Sequence, residues 1–218
     1  MAKDLAIVLN DGSINSAVTS AIAAQKHRPV MIYIEISPPL PTHQRLAYEQ
    51  QVAHFKPYRE HTVSLESLPA LSQASTNVDP RAVALSPHLI EMMPLMAVAT
   101  RFAVQYEATA IYIGARVGPH ENELARATEY FQIWSEMLQL PCEQHDLELL
   151  TPLLELDPWQ VVDVAANVGA PLEKTWSCHQ DGPSHCWACR GCYARDAAFQ
   201  QSAKPDPLRV SNSSAAKK

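Results

Sequence analysis

The chain has 218 residues, of which 47% are hydrophobic, and this is enough for one well-buried core and a small appended segment. Its formal net charge of −6 and its pI of about 5.8 argue against a nucleic-acid partner, whose phosphates would call for many basic side chains. The first apolar run spans only five residues, too few for a signal peptide or a membrane span, so we expect a cytoplasmic protein without a membrane partner.

Strands and helices alternate along the chain. Short apolar and β-branched runs predict strands, and longer segments with helical periodicity predict helices. The predicted strands are 5–10, 30–36, 61–65, 110–115 and 143–149. The predicted helices are 14–25, 43–54, 94–107, 125–139 and one that begins at 158, where Asp157-Pro158 is typical of a helix start and Gly169 of its end. Residues 37–41 and 66–86 are predicted as loops.

This order predicts an α/β fold in which a parallel five-stranded sheet carries helices on both faces. We divide the chain into a Rossmann-like, nucleotide-binding-type domain at 1–170, a cysteine-rich segment at 171–201 and a disordered tail at 202–218. Ligands of such sheets bind beyond the carboxyl ends of the strands, which places the loops after the first, second and fourth strands on one rim.

The loop after the first strand reads LNDGSINSAV at residues 9–18. A strand, a small-residue turn and a helix start can together hold a phosphate, because the helix N–H groups and the helix dipole favour an anion. The candidate nucleotide-binding residues are Asp11, Gly12, Ser13, Asn15 and Ser16.

Four cysteines lie close together in CHQDGPSHCWACRGC at residues 178–192. Two overlapping C-x2-C turns and a further thiol can surround one tetrahedral ion, and a site closed in this way is structural. The sequence therefore predicts a structural Zn²⁺ site at Cys178, Cys186, Cys189 and Cys192. An iron–sulfur cluster and redox-active thiols are the alternatives.

Four neighbouring residues have more than one interpretation. His179 and His185 could each replace a cysteine as a ligand, but we expect both to be solvated loop residues. Arg190 and Arg195 could contact a substrate, but we expect both to offset the negative charge of the four thiolates.

Residues 152–199 resemble the C-terminal third of the 7-cyano-7-deazaguanine synthase family, known as QueC. The family pattern is a capped helix, then G-x-P-x-x-x-T-W-S-C, then the metal-binding cysteines and R-x-x-x-F. The matching residues are Gly169, Pro171, Thr175, Trp176, Ser177, Cys178, Cys186, Cys189, Cys192, Arg195 and Phe199. The order of the upstream elements is similar too, as are the stretch His43-Gln44-Arg45 and the strand end Ile113-Gly114-Ala115.

The resemblance implies a PP-loop ATP pyrophosphatase with the adenine nucleotide alpha hydrolase-like (HUP) fold. It also implies an ATP- and Mg²⁺-dependent ligase: in that family 7-carboxy-7-deazaguanine is adenylated and attacked by ammonia, and a second activation turns the amide into the nitrile. Family members commonly form homodimers. No catalytic residue is assigned.

The family places its T-W-S-C segment near the purine-like substrate, which makes Thr175 and Trp176 candidate substrate-binding residues. The neighbouring Lys174 could neutralise a carboxylate or a phosphate. The alternatives are solvent exposure for Lys174 and packing of the cysteine segment for Trp176 and Phe199.

Residues 11–16 depart from the family loop S-G-G-x-D-S, since only Gly12 and Ser16 agree. Asp11 adds a negative charge beside the expected polyphosphate, Ser13 adds a Cβ where the backbone should approach closely, and Asn15 removes a carboxylate that would organise Mg²⁺. Three hypotheses follow: a synthase with an altered loop, a related ligation on a 7-deazaguanine, and a non-catalytic paralogue that acts as a ligand-binding or scaffold protein.

Overall fold

The computed structural model describes residues 3–36, 42–65, 67, 89–119, 121–142 and 147–209. Its strands are β1 (Leu5–Leu9), β2 (Arg28–Glu35), β3 (Arg59–Ser64), β4 (Ala110–Tyr112) and β5 (Glu148–Leu150). Its α-helices are α1 (Ile14–Lys26), α2 (Thr42–Phe55), α3 (Leu89–Tyr106), α4 (Glu121–Cys142), α5 (Pro158–Val168) and α6 (Arg190–Gln201). A short 3-10 turn at Leu172–Lys174 precedes the cysteine segment.

All strand pairs are parallel, and the strand order is β3-β2-β1-β4-β5. This arrangement confirms the predicted α/β class. β1 lies between β2 and β4, so the chain winds outward from β1 in both directions. The loops that follow β1 and β4 therefore border the crevice where parallel sheets of this kind bind their ligands.

The core lies on both faces of the sheet. On one face, Ile7 and Ile111 are fully buried in a cluster that includes residues of α3 and α4. On the other face, Val8 and Met31 are fully buried in a cluster with residues of α1 and α2. The near-continuous apolar strands β1 and β2 fit this two-sided burial.

The helix starts differ from the predicted ones because local signals misled at two positions. Pro94 suggested the first turn of a helix, but α3 begins at Leu89 and contains Pro94 in its interior. Proline removes one backbone hydrogen bond there, and the helix continues on both sides. α4 begins at Glu121, four residues before the predicted start, with Glu121 and Glu123 in its first turn. The predicted loops 37–41 and 66–86 lie, apart from residue 67, outside the described residues.

The prediction of a disordered tail at 202–218 does not hold for residues 202–209, and residues 210–218 lie outside the described residues. Asp206 is only 6% exposed, and both of its oxygens accept hydrogen bonds from Arg195 of α6, at 2.6 and 2.8 Å. This buried pair fixes the segment against α6. The polar composition of the segment concealed the contact, because it depends on one carboxylate and not on apolar periodicity.

No helix in the described part of the chain is both long enough and apolar enough to span a membrane.

Candidate functional site

The loop between β1 and α1 turns on a glycine. Gly12 has a φ of +83°, and a Cβ added to it would lie 2.1 Å from the carbonyl oxygen of Gln44. Only glycine fits this position. Ser13, by contrast, has a φ of −76° and acts as the N-cap of α1, where its Oγ accepts a hydrogen bond from the N–H of Ser16 at 3.3 Å. The expected conflict at the Cβ of Ser13 is therefore absent, and a serine caps this helix in the usual way.

The carboxylate of Asp11 lies inside this loop. Its Oδ1 accepts hydrogen bonds from the N–H of Ser13 at 3.0 Å and from the hydroxyl of Ser16 at 2.6 Å. Its Oδ2 accepts one from the amide of Gln44 at 3.3 Å. Donors of this kind at a helix N-terminus are what such loops offer to a phosphate. Asp11 thus occupies two of the loop's donors with its own side chain.

A buried amide pair holds the loop in place. Nδ2 of Asn10 donates to Oε1 of Gln51 at 2.9 Å, and Oδ1 of Asn10 accepts from the N–H of Gly12 at 2.8 Å. Nε2 of Gln51 donates to the carbonyls of Gly12 at 3.1 Å and Lys174 at 2.9 Å. Neither Asn10 nor Gln51 was predicted as a site residue. Asn10 could have been identified as a polar residue directly after a buried strand.

Two cavities adjoin the loop. The first, of about 390 Å³, lies beyond the ends of β1, β2 and β4. Its wall is mainly apolar and includes Ile32, Ile34, Ile36, Met92, Leu95 and Ile113. The second, of about 320 Å³, lies between the loop, α5 and the cysteine segment, and its lining includes Trp176, Ser177 and His179.

The two cavities share part of their lining. The shared residues are Asp11, Ser13, Asn15 and Arg116, and Ser16 lines the first cavity as well. The structure therefore brings together four of the five predicted nucleotide-binding residues, while Gly12 shapes the turn. Arg116 was not among the predicted site residues. The sequence feature that could have identified Arg116 is its place just beyond the end of β4, on the predicted ligand-binding rim of the sheet.

Of the three predicted substrate-binding residues, Trp176 alone is among the described residues that line the two cavities. Trp176 lines the second cavity and is also packed, since its ring stacks on His43 with centroids 4.6 Å apart. Lys174 and Thr175 are not among the described residues that line either cavity. Thr175 is buried and donates to the Leu172 carbonyl at 2.7 Å, and the ammonium of Lys174 lies 3.5 Å from Glu173. Direct contact of Lys174 and Thr175 with a substrate therefore stays a prediction.

The four cysteines predicted as ligands form one cluster. Their Sγ atoms all lie within 4.8 Å of one another, with 3.9 Å between Cys178 and Cys189 and 4.0 Å between Cys186 and Cys192. Backbone N–H groups also point at the sulfurs: that of Cys186 lies 3.4 Å from Sγ of Cys178, and that of His179 lies 3.4 Å from Sγ of Cys189. This cluster could hold a metal ion.

The thiols and the neighbouring histidine differ in their electrostatic environments. Burial raises the pKa of Cys178 and Cys192, whereas a hydrogen bond from the backbone of Ala188 lowers the pKa of Cys186 to about 6. Burial and the nearby Arg195 lower the pKa of His185 to about 4. A bound cation would favour the thiolate form of all four cysteines.

His185 and Arg195 have other roles than expected. His185 is buried and accepts a hydrogen bond at Nε2 from the N–H of Ser177, at 3.2 Å, so it is a neutral packing residue and not a solvated one. Arg195 forms its ion pair with Asp206 and donates to Thr175 at 2.7 Å, so its charge is matched by a carboxylate and not by the thiolates. His179 is exposed, as predicted.

Comparison with known proteins gives consistent results. A family model described as queuosine biosynthesis protein QueC matches residues 5–203. The 7-cyano-7-deazaguanine synthase of Thermosynechococcus vestitus is 31% identical over 117 residues, which are 52% of this chain and 50% of that protein. The chain spans about half the length of the first relatives it matches. The 7-cyano-7-deazaguanine synthase of Acidobacterium capsulatum is 24% identical, and the match covers 94% of this chain and 96% of that protein.

Two solved structures share the fold. A 4-thiouridine synthetase in complex with RNA and ATP superposes with a TM-score of 0.54 at 17% identity, over 95% of this chain and 52% of that one. The U34-tRNA thiolase NcsA from Methanococcus maripaludis, with its [4Fe-4S] cluster, gives a TM-score of 0.50 at 11% identity, over 93% of this chain and 68% of that one. Since the family model extends over nearly the whole chain, the chain belongs to the family of the queuosine biosynthesis protein QueC.

Proposed function

We propose that the chain is an ATP-dependent enzyme that converts 7-carboxy-7-deazaguanine and ammonia to 7-cyano-7-deazaguanine. The observation that carries the proposal is the family match over residues 5–203. Relatives named 7-cyano-7-deazaguanine synthase that align with more than nine-tenths of the chain support it.

The two cavities suit a reaction between two ligands. The apolar wall of the first cavity fits a nucleoside, and the second cavity, bounded in part by Trp176, has room for a flat base beside the cysteine segment. The reacting groups would then meet at the four residues that both cavities share. The task of these residues is to hold the two groups close together and to stabilise the charge that develops between them.

The fit to ATP is only partial. The first cavity can take the nucleoside, while the carboxylate of Asp11 accepts hydrogen bonds from two donors of the loop, the N–H of Ser13 and the hydroxyl of Ser16. The second candidate is a chain that binds a 7-deazaguanine without ATP chemistry, as a binding or scaffold subunit; the comparisons do not favour it.

The cysteine cluster is proposed to hold one structural Zn²⁺ ion. Zn–S bonds of about 2.3 Å in a tetrahedron place the sulfurs about 3.8 Å apart. The distances of 3.9 and 4.0 Å fit this arrangement, and all four sulfurs lie within 4.8 Å of one another, whereas thiolates that bind different irons of an iron–sulfur cluster lie farther apart. Metal analysis of the purified protein should give one zinc per chain, and a brown protein with equimolar iron and sulfide would contradict this assignment.

We propose that the protein forms a homodimer and that it is located in the cytoplasm. α4 exposes Ile133 and Met137, one helical turn apart, with 57% and 42% of their surfaces accessible. An apolar strip of this kind suits contact with a second copy. Sedimentation analysis should give twice the chain mass, and a monomer at micromolar concentration would contradict the proposal.

One incubation tests the proposed reaction. The metal-loaded protein is mixed with ATP, Mg²⁺, ammonium and 7-carboxy-7-deazaguanine, and mass spectrometry follows AMP, the amide and the nitrile. Formation of the nitrile together with AMP supports the synthase, and omission of ATP should abolish both products. Binding of the acid without turnover favours the second candidate, and absence of binding contradicts both.

A further inference from the structure

Arg116 occupies the junction of the two cavities. It lies in the segment that follows β4, and this segment runs close to the start of α1: a Cβ added to Gly114 would lie 3.1 Å from the backbone of Asn15. The same segment is anchored on its other side, where the N–H of Val117 donates to the Leu154 carbonyl at 2.8 Å. The backbone that carries Arg116 is thus fixed beside the loop.

The guanidinium of Arg116 has donors to spare. It is partly buried, and its Nη1 donates to the Leu156 carbonyl at 3.4 Å. It forms no ion pair within 4.0 Å with any residue that the structure describes. A guanidinium carries five N–H donors and stays protonated in proteins, so most of its donors can still serve a ligand. Burial lowers its pKa while Asp157 raises it, as expected for a cation kept partly out of water.

The other described cations near the cavities are already paired. Arg195 lines the second cavity but is held by Asp206 through two hydrogen bonds. Arg45, on α2, is paired with Glu35 and lies 3.5 Å from Glu49. At the loop, the carboxylate of Asp11 already accepts the N–H of Ser13 and the hydroxyl of Ser16.

We infer that Arg116 binds the anionic group of the ligand, a carboxylate or a phosphate, at the junction of the two cavities. It supplies N–H donors beside a loop in which Asp11 already occupies two donors. The planar guanidinium fits either group through two parallel hydrogen bonds. The inference rests on the proposed function for the identity of the ligands. It assigns to Arg116 the binding and orientation of their anionic group.

Calorimetric titration of three variants tests the inference. Arg116→Gln removes the charge, Arg116→Lys keeps the charge without the two-pronged geometry, and Arg126→Gln removes the same charge from an exposed position on α4. The probes are 7-carboxy-7-deazaguanine, its uncharged counterpart 7-cyano-7-deazaguanine, and Mg²⁺-ATP. Thermal melting of each variant without ligand verifies that it is folded.

We expect Arg116→Gln to weaken the binding of at least one of the two anions, the acid or Mg²⁺-ATP, tenfold or more. The affinity for the uncharged nitrile should change less than twofold. Arg116→Lys should recover part of the loss, and Arg126→Gln should bind like the wild type. Loss confined to the acid identifies the carboxylate as the bound group, and loss confined to ATP identifies the phosphate.

The two proposals can fail separately. Unchanged anion binding by Arg116→Gln, with a wild type that forms the nitrile, overturns the role of Arg116 and leaves the synthase intact. Selective loss of anion binding, with a wild type that forms no product, supports Arg116 and overturns the synthase. A wild type that binds neither anion overturns the inference.

Discussion

Among single residues, Asp11 has the largest effect on what the loop can bind. Its replacement by serine removes a negative charge from the N-terminus of α1 and frees the N–H of Ser13 and the hydroxyl of Ser16. Like charges about 4 Å apart repel by about 1 kcal/mol even in water. We therefore expect Asp11→Ser to raise the affinity for Mg²⁺-ATP by about fivefold or more, as measured by calorimetry.

A second acidic residue provides the comparison for Asp11. Glu121→Gln changes the net charge by the same amount, but Glu121 is exposed in the first turn of α4. The ATP affinity of this variant should therefore match that of the wild type. An Asp11→Ser variant that binds ATP no better than Glu121→Gln would show that the carboxylate does not limit binding. Further restoration of the family loop by Ser13→Gly should not help, because Ser13 has an ordinary φ and caps the helix.

At the scale of elements, the cysteine segment depends on its thiols for order. Around the cluster, the described backbone forms only turns and bends between the 3-10 turn and α6. In such segments the free energy of metal binding is part of the free energy of folding. Cys189→Ser should lower the melting temperature by roughly 5 °C or more and reduce the soluble yield before activity changes.

Calorimetric melting with metal analysis checks the Cys189→Ser variant. His179→Ala, an exposed substitution in the same segment, should melt close to the wild type. A Cys189→Ser protein that is free of metal and as stable as the wild type would refute a structural role for the cluster.

The contact between α6 and the segment that follows it depends on one buried ion pair. The side chains of Arg195 and Asp206 are 0% and 4% exposed. Asp206→Ala leaves a buried guanidinium without its carboxylate, which costs about 3 kcal/mol or more in the free energy of unfolding. Denaturant titration measures this loss.

A more exposed ion pair between α6 and the same following segment gives a matched reference. Asp196 lies 2.9 Å from Arg209, with both side chains substantially accessible, so Asp196→Ala should cost about 1 kcal/mol or less. Equal losses for the two variants would contradict the assigned difference in burial.

For the whole molecule, the sequence predicts the features that depend on local patterns. Short strand-like runs predict β1 to β4, and Asp157-Pro158 and Gly169 predict the bounds of α5. Of the predicted fifth strand, 143–149, Glu148 and Leu149 lie in β5, and residues 143–146 lie outside the described residues. Cysteine spacing predicts a cluster that the structure brings together. The features that local patterns do not reveal depend on contacts between distant residues, as in the pairing of Asp206 with Arg195. The position of Arg116 follows from strand order, which periodicity alone does not reveal.

The carbonyl of Gly12 joins the two halves of the site. It accepts hydrogen bonds from the N–H of Trp176 at 3.0 Å and from Gln51 at 3.1 Å, so the turn after β1 is tied directly to the chain that leads into the cysteines. Thermodynamic linkage makes any coupling between the two ends reciprocal. If occupancy of the cysteines strengthens ligand binding beside the loop by some factor, the ligand must strengthen metal binding by the same factor, so a chelator would remove metal most readily from the ligand-free protein.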